Sequence, residues 1–233
     1  MLFLMIQMSE KEGLMQVAVD AVVFSCQENA VNVLLIRRKK EPFSGKCALP
    51  GGFVEENETA EDAVLRELQE ETGVKNIFLK QLKAYTNPKR DPRGRVISIA
   101  YVALISADQD LIAASDALSA EWISIAHLPM LAFDHKSILA DALTNLRMEI
   151  QTTNIASQIL PKKFTLSELQ RLYEIVLGKE MDKRNFRKKI YQLHILKECA
   201  ETKMEGAHRP AQLYQFTARE YAPLGERIQI FLE

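Results

Sequence analysis

Three carboxylates pose the first chemical question. Glu67, Glu70 and Glu71 are three and four positions apart, so a helix carries them on one face. Ala60, Val64 and Leu68 recur every fourth residue and give the same helix an apolar stripe to bury. Thr59 can cap its first turn with Asp62 as the reciprocal partner, and Gly73 stands where a left-handed helix end is expected. Crowded like charges repel unless a cation sits among them, and several carboxylates with water suit octahedral Mg²⁺ or Mn²⁺. A metal held in this way needs phosphate oxygens to finish its shell. Arg66, four residues before Glu70, can pair with it and leave Glu67 and Glu71 nearer the metal. A solvated acidic helix face with routine ion pairs is the other reading of these residues.

The elements around that helix must position it. Residues 15–26 and 31–37 are β-rich runs separated by four polar or small residues, a hairpin pattern that delivers Arg37 and Arg38 at a strand end. A turn-rich loop, Glu41 to Lys46, then leads to Leu49-Pro50-Gly51-Gly52, where the glycines let the backbone turn tightly. Beyond the helix, strands are expected over Ile77–Tyr85 and Val96–Ile105, joined by a loop holding Lys89, Arg90, Arg93 and Arg95 with Pro88 and Pro92. Those cations either meet phosphate and ribose or only solvate an exposed connection. A strand over Leu118–Ile125 carries Glu121, which, like Asp116, either reaches the metal or remains a surface carboxylate. A helix from His135 to Ile150 follows, with Ile138, Ala142, Leu146 and Ile150 as its stripe and His135 as a cap or surface residue.

Thr152-Thr153-Asn154 and Pro161-Lys162-Lys163 interrupt helical order, which places a domain boundary between Gln151 and Lys163 and divides the chain into 1–150 and 151–233. Thr165-Leu166-Ser167-Glu168 reads as a capping box opening a helix that buries Leu169, Leu172, Tyr173 and Val176. After a turn at Gly178, Asp182 caps a second helix carrying Lys183, Arg184, Asn185, Arg187, Lys188 and Lys189, with Phe186, Ile190 and Leu193 inward. Two helices joined by a tight turn, the second basic, form a helix-turn-helix pattern. Residues 196–202 and 211–216 then read as a hairpin whose tip holds His208 and Arg209, the wing of a winged helix. Lysines and arginines on such a helix hold phosphates, while Arg184, Asn185 and Arg187 can reach base edges; a merely solvated basic face is the alternative.

At 233 residues and 47% apolar, the chain has enough material for two packed units. Residues 1–150 carry 16 basic and 21 acidic side chains, against 14 and 10 over 151–233, so the second part can approach a polyanion that the first repels. No stretch is long and apolar enough to span a bilayer, and Met1–Met8 lacks the basic segment and cleavage site of a secretory signal; a cytoplasmic location and no membrane partner are expected. Cys26, Cys47 and Cys199 are widely spaced, which suggests structural thiols.

From Gly52 the order is five residues, Glu58, seven residues, then Arg66-Glu67-Leu68-Gln69-Glu70-Glu71-Thr72-Gly73-Val74. This resembles the signature of the Nudix hydrolases at every defining position. The resemblance implies an α/β (α+β) sandwich, a mixed sheet between helices, and a catalytic set in which Glu70 and Glu71 are the principal ligands of Mg²⁺ or Mn²⁺, Glu67 is a further ligand or part of the base that activates water, and Arg66 with Glu58 braces the loop. Cys47 replaces an aromatic residue common two places before the Leu-Pro-Gly-Gly run. The loop 90–95 resembles that of relatives handling ADP-ribose, which assigns Arg37, Arg38, Gly51, Gly52, Arg90, Arg93 and Arg95 to ligand binding. Together with residues 164–189, the chain is similar to the Nudix-related (NrtR-like) transcriptional regulators, best known for repressing NAD biosynthesis genes. That similarity implies a homodimer on double-stranded operator DNA, loosened by ADP-ribose or a related nucleotide. Two other functions stay open: a plain ADP-ribose-type pyrophosphohydrolase whose tail dimerises it, and a sugar-responsive repressor with an inert Nudix domain.

Overall fold

The computed structural model describes residues 15–27, 29–75, 77–105, 120–204 and 210–224. In chain order the first part has β1 (Gln16–Gln27), β2 (Ala30–Arg37), β3 (Cys47–Ala48), β4 (Gly51–Phe53), α1 (Ala60–Thr72), β5 (Phe78–Tyr85), β6 (Val96–Leu104), β7 (Ala120–Ser124) and α2 (His135–Thr152). The strands form one sheet in the order β3-β2-β1-β6-β5, with β7 beside β2 and β4 beside β1. β1 and β6 are parallel and the other pairs antiparallel, so the sheet is mixed.

Period-two alternation sorts the strand residues onto two faces. Val19, Ala21 and Val23 of β1, with Tyr101 and Ala103 of β6, lie under Ala63, Val64 and Leu68 of α1. Val22, Phe24, Val33, Leu35, Val102 and Leu104 turn the other way, against Ile138, Ala142, Leu146 and Ile150 of α2, all four fully buried. The expected sandwich follows from these two stripes.

β1 also divides the sheet along its own length. From Phe24 to Gln27 it pairs with β2, whereas Ala18 to Asp20 pairs with β4, and the Ala21 N–H donates to the Pro50 carbonyl at 2.8 Å. On its other edge β6 runs beside it without a break from Gln16 to Phe24. β2 and β4 therefore part at Asp20, and the cleft they open is floored by a strand that β6 keeps straight.

The second part comprises β8 (Phe164–Thr165), α3 (Leu166–Leu177), α4 (Lys183–Gln192), β9 (Leu196–Lys203) and β10 (Ala211–Phe216), with its sheet in the order β8-β10-β9. The Thr165–Glu168 capping box forms, Gly178 ends α3 at φ 68°, and Asp182 caps α4 through the Asn185 N–H. This is a winged helix. Its Leu169, Leu172, Tyr173, Val176, Phe186 and Ile190 join the core cluster that holds α2.

Helical order does break at Thr153, as the sequence suggests, yet the stretch that follows is buried. Asn154 donates to the carbonyls of Ala218 and Glu220, and Tyr221 meets both Lys80 of β5 and Glu149 of α2. β7 ends at Ser124 and passes into a single 3-10 turn, Ile125–His127; Leu118 and Asp116 lie outside the described residues. His135 requires a correction: it is 4% exposed, not a surface residue, because its ring serves as an acceptor within the cleft floor.

Since α2 is packed by both parts, Leu146→Ala should cost about 2–5 kcal/mol and shift one cooperative unfolding transition. Chemical denaturation followed by fluorescence and far-UV dichroism checks this; two separate transitions, only one of them moved, would contradict the shared core.

Candidate active site and nucleic-acid interface

α1 begins and ends as its sequence demands. Thr59 Oγ1 accepts from the Asp62 N–H at 3.1 Å, the Asp62 carboxylate accepts from the Thr59 N–H at 3.2 Å, and Gly73 takes φ 71°. Arg66 then holds the acidic face together. It grips Glu58 through Nε at 3.0 Å and a terminal nitrogen at 2.7 Å, reaches Glu67 at 2.8 Å, and donates to the Phe53 carbonyl at 3.2 Å. Glu70, largely exposed, forms the i,i+4 ion pair with Arg66 that its spacing suggests, at 3.6 Å, longer than the contacts of Arg66 to Glu58 and Glu67. The Arg66 bonds hold the Glu58 carboxyl below the usual carboxylate range, and those same carboxylates push the guanidinium upward.

Two glycines let loop and helix meet. A Cβ at Gly51 would sit 2.1 Å from the Val19 carbonyl, and one at Gly52 would sit 2.0 Å from the Glu67 carboxylate. The Gly51 N–H donates to Glu71 at 2.9 Å. Burial, opposed by that bond and reinforced by the charges of Glu67 and Asp20, raises Glu71 to about 7. Glu67 and Glu71 thus face the loop while Glu70 stays in solvent. Among the described residues no three acidic or imidazole groups already converge on one point. Glu67 is instead held by Arg66, and Glu71 by the Gly51 N–H.

A cleft of about 380 Å³ opens beside them, lined by Arg37, Arg38, Lys39, Glu70, Glu71 and Arg93 among others. A deeper recess of about 130 Å³ shares Ile36, Arg38 and Arg93 with it and reaches Asp20, Gly51, Gly52 and Phe133. Acidic groups of α1 and cations of two loops therefore line adjoining spaces. Such a surface can take an anion whose charge is bridged by a metal on one side and matched by guanidinium on the other.

The arginines expected to bind ligand divide by geometry. Arg37 spans the Gly45 carbonyl at 3.1 Å and Glu121 at 3.2 Å, so Glu121 is engaged at the cleft rim. Arg38 donates to the Pro42 carbonyl at 2.9 Å, and Arg93 is bound to Asp91 at 2.6 Å. Arg90 is the most enclosed of them: it lines the deeper recess, and its guanidinium is 5% exposed and bound to Asp134 at 2.8 and 3.0 Å and to Asp20 at 3.1 Å. Arg95 likewise donates to the Thr86 carbonyl at 2.7 Å and lines neither space.

Asp20 and His135 line the recess, with Ser98 and Asp134 bonded behind them; the sequence reading names only His135 of these, and not in this role. Ser98 donates to Asp20, His135 Nδ1 accepts from the Leu49 N–H at 2.9 Å, and its Nε2 faces Asp20 at 3.3 Å. Burial lowers the His135 pKa. One signal was present: Asp20 interrupts an apolar run, Val17 to Val23, and a carboxylate there needs a partner. Cys47 is buried and pairs with Arg37 of the neighbouring strand.

On the winged helix, Lys183, Arg184, Asn185 and Lys188 of α4 are exposed. Arg187 and Lys189, expected to project outward, are half-buried, and Arg187 Nε has no hydrogen-bond partner among the described residues. A groove of about 420 Å³ between α4 and β10 is lined by Lys183, Arg187, Tyr191, Ser167 and Gln212, among others. His208 and Arg209 lie outside the described residues.

A family model described as the NUDIX domain matches residues 14–142, and one described as the NrtR DNA-binding winged helix domain matches 156–216. The chain is 36% identical over 209 residues to the ADPR responsive transcriptional repressor NtrR of Acinetobacter baylyi, covering 87% of this chain and 82% of that protein. It is 47% identical over 125 residues to an ADP-ribose pyrophosphatase of Methanocaldococcus jannaschii, covering 54% and 71%. Shewanella oneidensis NrtR in complex with a 27mer DNA superposes with a TM-score of 0.76 at 35% identity, over 86% of this chain and 93% of that one. The NUDIX domain of the same protein with ADP ribose gives 0.51 at 35% identity, over 59% and 92%.

Two outcomes follow from the charges in the cleft. Arg90→Ala leaves Asp20 and Asp134 without their cation and should cost about 3–5 kcal/mol of stability, measured by urea unfolding. For Glu71 the folded chain keeps a proton that the unfolded chain releases near pH 4.3, so the metal-free fold loses stability as pH rises from there through about 7. In excess chelator, Glu71→Gln should therefore raise Tm at pH 8, by an amount that shrinks toward pH 5; a constant difference across that range would contradict the assignment.

Proposed function

The chain belongs to the NrtR-like Nudix-related transcriptional regulators, and on that premise we propose that it represses transcription in response to ADP-ribose or a close nucleoside diphosphate derivative, which it also hydrolyses. The observation that carries this reading is the shared cleft, where Glu70 and Glu71 stand on the same wall system as Arg38 and Arg93. A pyrophosphate fits between such groups only with a divalent cation to offset the carboxylates.

The donor set suits Mg²⁺ or Mn²⁺: oxygen ligands alone, a bare Gly52 facing Glu67, and a Glu71 whose carboxyl is raised by burial first and by neighbouring negative charge second. Glu67, Glu70 and Glu71 would hold the ion, which when bound neutralises phosphate oxygens and makes water a stronger nucleophile. Arg66 keeps Glu58 and Glu67 in place, so this brace aims the acidic face. Arg37, Arg38 and Arg93 meet the phosphates, and Gly51 and Gly52 let the backbone approach them. Similarity to an ADP-ribose pyrophosphatase and to an ADP-ribose-bound NUDIX domain supports that ligand class.

Residues 151–233 serve operator binding in this proposal, and 1–150 serve the effector. Arg184, Asn185 and Lys188 occupy the exposed side of α4, suited to a major groove, and two copies of the chain would present paired helices to a palindrome. The described helices include none long and apolar enough to cross a membrane.

The two activities should separate. Glu70→Gln and Glu71→Gln are expected to lower metal-dependent AMP release from ADP-ribose by roughly two orders of magnitude while leaving operator affinity intact. Arg184→Ala with Lys188→Ala should spare hydrolysis and reduce the salt slope of DNA binding by about 2. Parallel loss of both activities in well-folded variants would count against two sites.

A further inference from the structure

Phe133 occupies a place that neither the metal face nor the phosphate loops account for. It precedes α2 with φ 51°, a left-handed conformation that an aromatic residue adopts only when its surroundings impose it. They do so on both sides. The Ala132 N–H donates to the Cys47 carbonyl at 2.8 Å, Asp134 is tied to Arg90, and His135 is fixed between Leu49 and Asp20.

The ring so held lies between two cations. The Arg38 guanidinium is 4.7 Å from its centroid and the Arg93 guanidinium 5.5 Å, while Phe43 abuts its edge at 4.8 Å. Arg38 belongs to the loop after β2, and Arg93 to the loop between β5 and β6. Without a ligand their like charges repel; burial foremost, then Arg93, lowers the Arg38 pKa. An aromatic face offsets part of that repulsion because its quadrupole attracts both guanidinium groups.

We propose that Phe133 is the positioning residue that sets the spacing of Arg38 and Arg93 before a pyrophosphate enters, so that the anion meets a prepared pair of cations. This rests on the reading of the cleft as a nucleoside diphosphate site. It assigns ligand selection to a ring that itself forms no hydrogen bond to phosphate. Preorganisation of this kind raises affinity by sparing the ligand the work of gathering the charges.

The test uses full-length wild type, Phe133→Leu and Phe133→Tyr with Ca²⁺ as the divalent cation, which oxygen ligands also hold, under conditions where no AMP is released. Calorimetry measures affinity for ADP-ribose and for inorganic pyrophosphate, and melting curves check folding. Leucine keeps most of the volume without the π face and should weaken both ligands about ten-fold; tyrosine should restore both. Unchanged affinity in Phe133→Leu overturns the proposal, as does a tyrosine variant no better than leucine. A wild type that binds pyrophosphate but not ADP-ribose overturns the effector assignment alone, since the pyrophosphate series still decides the role of Phe133. A wild type that binds neither ligand overturns both.

Discussion

Negative charge concentrated where β2 and β4 part from β1 is the constraint to which the first half of the molecule answers. Asp20 lies at the parting, and Glu58, Glu67, Glu70 and Glu71 come to it from α1 and the preceding loop. Three different balances follow. Arg90 is buried between Asp20 and Asp134 and balances their charge. Arg66 neutralises Glu58 and Glu67 and thereby fixes the acidic face. Glu71 accepts a backbone N–H from Gly51, and its raised pKa reflects burial first and the charges of Glu67 and Asp20 after it. The negative charge gathered there is what a divalent cation would relieve, so the site trades stability for function.

The cations of the cleft show the complementary arrangement. Arg38, held by the Pro42 and Lys40 carbonyls, and Arg93, held by Asp91, are each anchored within their own loop and line the cavity. Below them α2 begins at the cleft floor with His135 and runs 18 residues to Thr152. Along that length it packs on the sheet, and Arg147 donates to the Val176 carbonyl of α3 at 3.1 Å. Tyr221 and Asn154 draw the chain after the wing back onto α2 and β5. One rigid helix therefore touches both the effector cleft and the winged helix, and the β1–β2 turn adds a second contact, Arg171 to Asn29 at 2.8 Å.

Much of this was legible in the chain because it depends on local rules. Capping residues at Thr59, Thr165 and Asp182, the glycine at 73, and the stripes of α1, α2 and α3 declare themselves within one or two turns. Pair interactions across the fold do not. Arg90 and Arg93 look alike in sequence, three residues apart in one basic loop, and only the position of Asp20 and Asp134 decides that the first is buried. Arg66 keeps its i,i+4 partner in Glu70, but Glu58 is closer because the loop folds back to supply a bidentate contact. Phe133 gives no local signal at all, since its conformation and its two cation contacts come from three separate segments.

The central claim is that ligand in the Nudix cleft controls DNA binding by the winged helix. The direct measurement is fluorescence polarisation of a labelled palindromic duplex from upstream of the gene or its neighbours, with random duplex as control, titrated with protein and then with ADP-ribose. Specific binding that weakens as ADP-ribose rises, with ADP-ribose binding weakened reciprocally by the duplex, is the predicted result. Operator affinity unmoved by saturating ADP-ribose, or no preference over random duplex, would contradict it and leave the molecule a hydrolase with a basic appendage.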